Sequence, residues 1–354
     1  KRQSFRIRGL GARPTPSLLR NFSAPVILKR ESSPEERAFL LAHDTDPFNR
    51  WEAGRALAKE VLTAMVEGSE PPLALYLDAL ATMLRDDGLD PAFRALAMGL
   101  PGQDDMAQTL ADAGRTPDPD AIHEASETLR QEIAEHLRDS LPRLAAEMVV
   151  DAPYRPDHAQ SGKRALALSL LRLTTRLDGG AAAGRLFEAA DNMTLSLGAL
   201  GCLLDAEKGE VALASFEERW KDDPLVMDKW FAMQVAHARP EKAADVAERL
   251  TLHPAFTMTN PNRFRAVFGA LAMHPAGFHV KDGSGYRLLA DWIVKLDPKN
   301  PQIAARMCSA FETWARYDAD RQGMMRDQLA RIARTPELSR DTAEMVGRIL
   351  GDAD

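Results

Sequence analysis

From Ser33 onward, apolar residues recur at intervals of three and four positions, and short polar breaks separate the runs. This spacing places apolar side chains along one stripe of an α-helix, and it predicts short amphipathic helices rather than strands. The helix after Asn260 has its stripe at Phe264, Val267, Phe268 and Leu271. The helix after Asn300 has its stripe at Ile303, Met307, Ala310, Phe311 and Trp314.

Proline residues mark where the predicted helices begin. Repeatedly, a residue that caps helices well stands before a proline, which then takes the first helical position. The missing proline N–H costs nothing there, and the residue before proline is already biased away from helix. These pairs are Ser33-Pro34, Asp46-Pro47, Asp90-Pro91, Asp223-Pro224, Asn260-Pro261, Asn300-Pro301 and Thr335-Pro336.

The spacing of two of these starts indicates a repeat. Asn260 and Asn300 lie 40 residues apart, which is close to the period of solenoids built from two or three helices per repeat. The other starts recur loosely. The pattern therefore predicts a mainly α fold over residues 31–354, a HEAT/armadillo-like α-superhelix of short helix pairs.

Residues 1–30 follow a different pattern. Phe5 and Ile7 alternate with arginines, and the segment APVILKR (24–30) is a short β-branched run. Both are signals of strands. Because two strands cannot form an independent sheet, we expect this short β segment to complete a β-domain upstream, or to pair with a partner outside this chain.

Charge and composition narrow the possible functions. The 354 residues carry a net charge of −7, but residues 1–30 hold eight Lys and Arg and no acid, so the remainder carries −15. An acidic body argues against a nucleic-acid surface, which needs clustered cations. The sequence contains no run of about 18 apolar residues, the pattern that predicts a membrane span. Cys202 and Cys308 match no metal spacing, and two reduced thiols fit a cytoplasmic protein.

Motifs that carry chemistry are missing from the sequence. The nearest approach to a zinc helix, HEASE (123–127), has Glu127 where H-E-x-x-H requires its second histidine. We therefore interpret His123 and Glu127 as members of a solvated helix face. His274 and His279 are expected to have loop or packing roles rather than to bind a metal, and DGSGY (282–286) is expected to form a turn capped by Asp282 or Ser284. The sequence thus predicts no catalytic residue and no metal ligand.

Two arginines occupy unusual positions. Arg265 is placed in the first turn of its helix, where a cation opposes the helix dipole. Arg306 borders the apolar stripe of its helix, which predicts a partly buried guanidinium. A guanidinium so placed needs a carboxylate or a carbonyl, from the protein or from a ligand. Internal ion pairs with some of the 52 Asp and Glu residues explain the pattern equally well.

Several long strings resemble one family. They resemble, in order along the chain, the C-terminal region of bacterial aminopeptidase N, the M1 family of zinc aminopeptidases. FSAPVILK (22–29) is similar to the last strand of that family's β-sandwich domain, so the resemblance implies that residues 1–30 are the end of this domain plus a linker. The strings are DPFNRWEAGRAL (46–57), FEAADNMTLSLGAL (187–200), LVMDKWFAMQ (225–234), FTMTNPNRFRA (256–266), DGSGY (282–286) and RYDADRQ (316–322).

The resemblance implies a lid rather than a catalyst. In the family, the zinc motif and the motif that grips the substrate's amine belong to preceding domains, and this sequence has neither. Zinc is then a cofactor of the intact parent enzyme and not of this chain, which is predicted to be inactive alone. The expected partners are the catalytic domain of the same polypeptide and peptide substrates.

The resemblance also assigns roles to the arginines. Arg265 and Arg306 match positions that reach toward the active site and meet the substrate's downstream carbonyls or carboxylate, whereas Arg263 lies on the other flank and is expected to be structural.

The alternative to the lid is a stand-alone HEAT-like scaffold that binds a protein partner. Such a scaffold would expose an apolar or strongly charged concave face.

Overall fold

The computed structural model describes residues 6, 8–26 and 28–351, and within this part the chain forms helices joined by turns, with no strand. The α-helices are α1 (Pro34–His43), α2 (Pro47–Glu67), α3 (Leu73–Arg85), α4 (Pro91–Ala97), α5 (Gln103–Asp112), α6 (Pro119–Leu137), α7 (Leu141–Glu147), α8 (His158–Asp178), α9 (Ala181–Ala189), α10 (Met193–Asp205), α11 (Glu210–Trp220), α12 (Pro224–Ala236), α13 (Ala243–Leu250), α14 (Pro261–Phe264), α15 (Ala270–Ala272), α16 (Pro275–Phe278), α17 (Ser284–Leu296), α18 (Pro301–Cys308), α19 (Ala319–Ala333) and α20 (Arg340–Gly351).

The helices form two compact units. The first contains the described residues up to Pro101 together with Asp139–Ser169, and in it α1 packs against α2 and α3 while α2 also contacts α4. The second contains Gly102–Arg138 and the described residues from Leu170 onward. There, helices that follow one another along the chain are also neighbours in space: α9 with α10, α11 with α12, α12 with α13, and α17 with α18. This is the predicted arrangement of successive helix pairs.

Capping at proline begins the helices as predicted at most of the X-Pro pairs. The Oδ1 of Asp46, for example, accepts from the backbone N–H of Asn49 at 3.0 Å, and the Oδ1 of Asn300 accepts from that of Ile303 at 3.2 Å. Ser33, Asp90, Asp223 and Asn260 act in the same way. These bonds satisfy N–H groups that have no partner within the helix.

The prediction of a helix start at Thr335-Pro336 is wrong. This pair lies in a turn where Glu337 has a φ of 58°, and α20 begins only at Arg340. Ser339 caps α20 instead, because its Oγ accepts from the backbone N–H of Thr342 at 3.3 Å. Ser339 is held in turn by Asp297, whose Oδ2 accepts from the Ser339 backbone N–H at 2.8 Å. A tertiary contact therefore sets this helix start.

The helix after Asn300 is shorter than its apolar stripe. Helix α18 ends at Cys308, and two 3-10 turns, Ser309–Phe311 and Trp314–Arg316, carry the rest of the stripe. Phe311 and Trp314 are nevertheless buried, as the stripe predicted. The apolar pattern thus identified Met307, Phe311 and Trp314 as core side chains, whereas Ile303 and Ala310 are only half-buried, and it did not predict the change from α to 3-10 geometry.

The β segment predicted for residues 1–30 is not seen in the described residues. Phe5 and Ile7 lie outside them, and Arg20–Phe22 forms a 3-10 turn. This turn is fixed to the connection between α1 and α2: Arg20 donates from Nη1 to Asp44 at 2.9 Å, and the Asn21 backbone N–H donates to Asp46 at 3.0 Å.

Candidate functional site

The helix start at Asn260 positions the arginines of the NPNRFR string. Asn260 Oδ1 accepts from the backbone N–H of Asn262 at 3.0 Å and of Arg263 at 3.3 Å, so the first turn of α14 is capped. Immediately after this turn, residues Arg265–Gly269 form a π-helix, in which the N–H of Ala270 reaches back to the carbonyl of Arg265. Such π turns are rare in proteins, and those that occur often lie at functional sites.

An aromatic cluster holds the inner face of this segment. Phe264 and Phe268 are fully buried, with ring centroids 4.7 Å apart, and the ring of Trp292 on α17 lies 5.0 Å from that of Phe268. Val267 and Leu271 are also fully buried, so the predicted stripe is confirmed. The segment is therefore rigidly seated on one side, and this limits where its polar side chains can point.

Arg263 is directed inward, and each of its three guanidinium nitrogens donates a hydrogen bond. Its Nε donates to Asp228 Oδ1 at 2.6 Å, its Nη2 donates to the Pro224 carbonyl at 3.3 Å, and its Nη1 donates to the Ala255 carbonyl. The guanidinium carbon also lies 4.5 Å from the ring centroid of Phe231. Only 4% of Arg263 is exposed. The structural role expected for this arginine is confirmed.

Arg265 is only half-buried, and its guanidinium contacts neutral groups of its own helix. Its Nε donates to the Pro261 carbonyl at 3.1 Å, and its Nη2 donates to Asn262 Oδ1 at 2.8 Å. Among the described residues it makes no ion pair. Arg265 is the fifth residue after the cap, so it follows the first turn rather than lying in it as predicted, and the opposing dipole is weaker there.

Arg306 is exposed, so the prediction that it is partly buried is wrong. Helix α18 buries Ala304, Ala305, Met307 and Cys308. At about 100° per residue, the direction midway between these four side chains is opposite to that of position 306. The Arg306 side chain has no hydrogen bond or ion pair with any residue that the structure describes. It is therefore available to an acceptor from outside these residues.

Two of the three arginines thus have no carboxylate partner among the described residues. The internal ion pair left open by the sequence is realised for Arg263, and not for Arg265 or Arg306 among the described residues. A guanidinium has five N–H donors and matches a carboxylate in a bidentate geometry. Chemically, both positions can bind a carboxylate or a carbonyl.

The histidines near this segment are structural. His279 is buried, its Nδ1 lies 2.8 Å from the Tyr286 hydroxyl, and its ring lies 4.2 Å from that of Tyr317. Burial lowers the pKa of His279 to about 3, and the charges of Arg316 and Arg321 add to this shift. The imidazole is therefore neutral at physiological pH. The packing role predicted for it is confirmed.

Asp282 acts as a cap, as predicted, and His274, which was expected to have a loop or packing role, is a cap as well. His274 Nδ1 accepts from the backbone N–H of Gly277 at 3.0 Å, while Nε2 donates to the Ala238 carbonyl at 2.9 Å. In the DGSGY turn, Asp282 Oδ1 accepts from the backbone N–H of Ser284 at 2.8 Å. These contacts account for both motifs without a ligand.

The HEASE segment differs from the solvated face that was predicted. His123 is half-buried and contacts the side-chain nitrogen of Gln103 at 3.0 Å. Glu127 pairs with Arg130 and with Arg176 of α8. Burial acts to raise the pKa of Glu127, but the hydrogen bond from Arg176 and the nearby positive charges outweigh it, so the pKa is lowered. The prediction was wrong because a neighbouring helix covers this face.

Metal and thiol chemistry find no support in the part of the chain that the structure describes. No group of three or more His, Cys, Asp or Glu residues there is arranged to hold a metal ion. Cys202 and Cys308 are buried, and burial raises the pKa of their thiols to about 11 and about 12. In the same range of residues, no helix combines the length and the apolarity that crossing a bilayer requires.

Taken together, the helices that pack in successive pairs define a helical repeat of the armadillo type. Residues 34–351 match the family described as "Domain of unknown function (DUF3458_C) ARM repeats", and the chain belongs to this family. The predicted fold class, a HEAT/armadillo-like helical repeat, is thereby confirmed.

Relatives in other organisms are aminopeptidases. The chain is 40% identical over 346 residues to "Aminopeptidase N" of Caulobacter vibrioides and 34% identical over 362 residues to "Aminopeptidase N" of Escherichia coli. These matches cover 96% and 98% of this chain, but only 40% and 41% of the two relatives. The chain therefore spans about two fifths of the length of these relatives.

A solved structure matches as well. The crystal structure of Legionella pneumophila aminopeptidase A in complex with aspartic acid superposes with a TM-score of 0.85 at 29% identity, over 96% of this chain and 41% of that one. The predicted resemblance to the C-terminal region of bacterial aminopeptidase N is confirmed.

Proposed function

We propose that this chain is the C-terminal helical domain of a zinc-dependent M1 aminopeptidase that removes N-terminal residues from peptides. In this proposal residues 31–354 cap the active site and form the wall of the substrate chamber, and residues 1–30 are the end of a β-sandwich domain plus a linker. The family, the aminopeptidase relatives and the shared fold support the proposal. The relatives also favour it over the stand-alone scaffold.

Zinc and catalysis are assigned to the rest of the parent polypeptide. The sequence has no H-E-x-x-H motif, and the described residues offer no cluster that fits a metal ion. The described residues of this chain thus do not fit the zinc. We expect the chain alone to be inactive, and release of amino acids from amides by the purified chain would contradict this. The cytoplasmic location stays a prediction.

The observation that carries the proposed role is the state of Arg265 and Arg306. In a chain with 52 acidic residues, neither guanidinium is paired with a carboxylate among the described residues. We propose that both bind the tail of the peptide substrate, at its downstream carbonyls or its C-terminal carboxylate. The likeness to an aminopeptidase structure supports a role in binding peptides.

The size of the effect follows from the contact. A hydrogen bond between charged groups contributes about 1.5–3 kcal/mol. Its loss therefore lowers kcat/KM by about ten- to a hundredfold for a substrate that reaches the arginine. An amino-acid amide is too short to reach it and should not respond.

The test compares substrates of different length in the intact enzyme. Arg265→Ala and Arg306→Ala are each assayed on tripeptides, tetrapeptides and a single amino-acid amide. Arg334→Ala, which removes an exposed arginine after α19, is the matched control for loss of charge. We expect both variants to lose kcat/KM on the peptides and to keep it on the amide. Unchanged kinetics on the tri- and tetrapeptides would refute the assignment.

A further inference from the structure

Asn262 holds one edge of the Arg265 guanidinium. Its Oδ1 accepts from Nη2 at 2.8 Å, and the neighbouring Pro261 carbonyl accepts from Nε at 3.1 Å. Nε and Nη2 share the same edge of the planar group, so both contacts lie on that edge. The two terminal nitrogens, Nη1 and Nη2, then still present one N–H each on the adjoining edge. That pair of donors matches the two oxygens of a carboxylate.

The acceptors themselves are fixed in place. The backbone N–H of Asn262 donates to the Asn260 cap at 3.0 Å, and the Pro261 carbonyl also accepts the backbone N–H of Arg265. Both acceptors that hold the guanidinium therefore belong to one capped turn. Free arginine side chains lose up to about 2 kcal/mol of rotamer freedom when they are immobilised. A side chain that is already held loses less of it on binding a ligand.

The neutrality of Asn262 is as important as its position. Its amide oxygen orients the guanidinium but leaves its positive charge uncompensated, because no carboxylate of the described residues contacts Arg265. An aspartate of the same shape would supply an acceptor in the same place and would also form an ion pair. It would then compete with any carboxylate brought by a ligand.

We propose that Asn262 is a positioning residue: it orients Arg265 toward the C-terminal carboxylate of a bound peptide while keeping the arginine fully charged. This inference rests on the proposed function of Arg265. It adds a reason why the residue three positions earlier is an amide, and it names the carboxylate as the group that Arg265 recognises.

The experiment uses the intact enzyme with Asn262→Ala and Asn262→Asp, alone and combined with Arg265→Ala. The substrates are a tripeptide with a free C-terminal carboxylate, the same tripeptide with a C-terminal amide, and an amino-acid amide. For the free tripeptide, we expect Asn262→Ala to raise KM about three- to tenfold with kcat unchanged, since only the ordering of Arg265 is lost. Asn262→Asp should raise KM more, by about tenfold or above, because it also neutralises the charge.

The controls separate positioning from a structural role. Neither change should affect the amidated tripeptide or the amino-acid amide, and neither should add to the effect of Arg265→Ala in the double variants. Because Asn262 is exposed, the variants should also keep the melting temperature of the parent. An effect of Asn262→Asp that persists on the amidated substrate, or in the Arg265→Ala background, would overturn the inference.

The two proposals fail in different ways. If Arg265→Ala leaves the free tripeptide unaffected, the proposed role of Arg265 is wrong, and the inference falls with it. If Arg265→Ala raises KM but both Asn262 variants behave like the parent, the role of Arg265 stands and only the positioning role is wrong.

Discussion

Replacing Arg263 with alanine removes the contacts through which this side chain joins three parts of the second unit. Its guanidinium pairs with Asp228 of α12, donates to the carbonyls of Pro224 and Ala255, and lies over the ring of Phe231. The side chains of Arg263 and Asp228 are 5% and 16% exposed, so solvent replaces these contacts poorly. Alanine would leave the Asp228 carboxylate largely buried without its cation.

The magnitude follows from the loss of one partner of a buried ion pair. Such a loss costs about 3–5 kcal/mol, mostly because the remaining charge is left uncompensated. In a unit of this size, each kcal/mol lowers the melting temperature by about 2–4 °C. We therefore expect Arg263→Ala to lower it by about 6–20 °C. Arg263→Lys keeps the charge but not the planar fork, and should give an intermediate loss.

The assay is thermal and urea unfolding of the purified chain, followed by circular dichroism. Arg265→Ala is the matched control, because it removes the same side chain two positions away on the same helix. It breaks no ion pair, and its effect should stay within about 0.5 kcal/mol. Equal losses of stability in the two variants would refute the division into a structural and a ligand-binding arginine.

Two further predictions concern the packing around α16 and α17. Because burial lowers the pKa of His279 from 6.5 to about 3, the unfolded chain binds a proton that the folded chain does not. The free energy of unfolding should thus fall as the pH drops from about 6.5 toward 3, by up to about 1.4 kcal/mol per pH unit. In urea unfolding across this range, His279→Phe should show a shallower fall than the parent. An unchanged slope would contradict the lowered pKa of His279. Gly285→Ala would place a Cβ 2.6 Å from the Phe278 carbonyl oxygen, which should destabilise by about 1–3 kcal/mol. For Gly347→Ala in α20, no atom of the described residues outside the backbone of its own helix lies within 4 Å of the added Cβ, so this change should instead stabilise by about 0.5–1 kcal/mol. Thermal melts in which Gly285→Ala is the more stable of the two variants would contradict both expectations.

The fold was largely predictable because it follows from local rules. Capping residues, prolines and the spacing of apolar positions act within a few residues, so the starts at Asp46, Asn260 and Asn300 could be identified from the sequence alone. The start of α20 at Arg340, rather than at the Thr335-Pro336 pair, could not be identified in this way. It depends on Asp297, which holds the capping residue Ser339 from 42 positions away. Contacts of this kind leave no local signal.

The candidate site was only partly predictable. The string NPNRFR contains both Arg263 and Arg265, and their different roles followed from their different flanks of the helix. The exposure of Arg306 was missed, because bordering an apolar stripe does not fix the direction of one side chain. The contact of Asn262 with Arg265 was missed too, although a spacing of three residues on a helix could have suggested it.

The π turn at Arg265–Gly269 changes the angular register of its helix. Each residue of an α-helix advances the side-chain direction by about 100°, so one additional residue in a turn rotates everything before it against everything after it by that amount. The direction of the Arg265 side chain is therefore set independently of the direction of the apolar stripe that ends at Leu271. Shortening the turn by one residue would leave every polar group in the sequence but point the guanidinium in another direction, so the number of residues between Arg265 and Leu271 is itself part of the specification of the site.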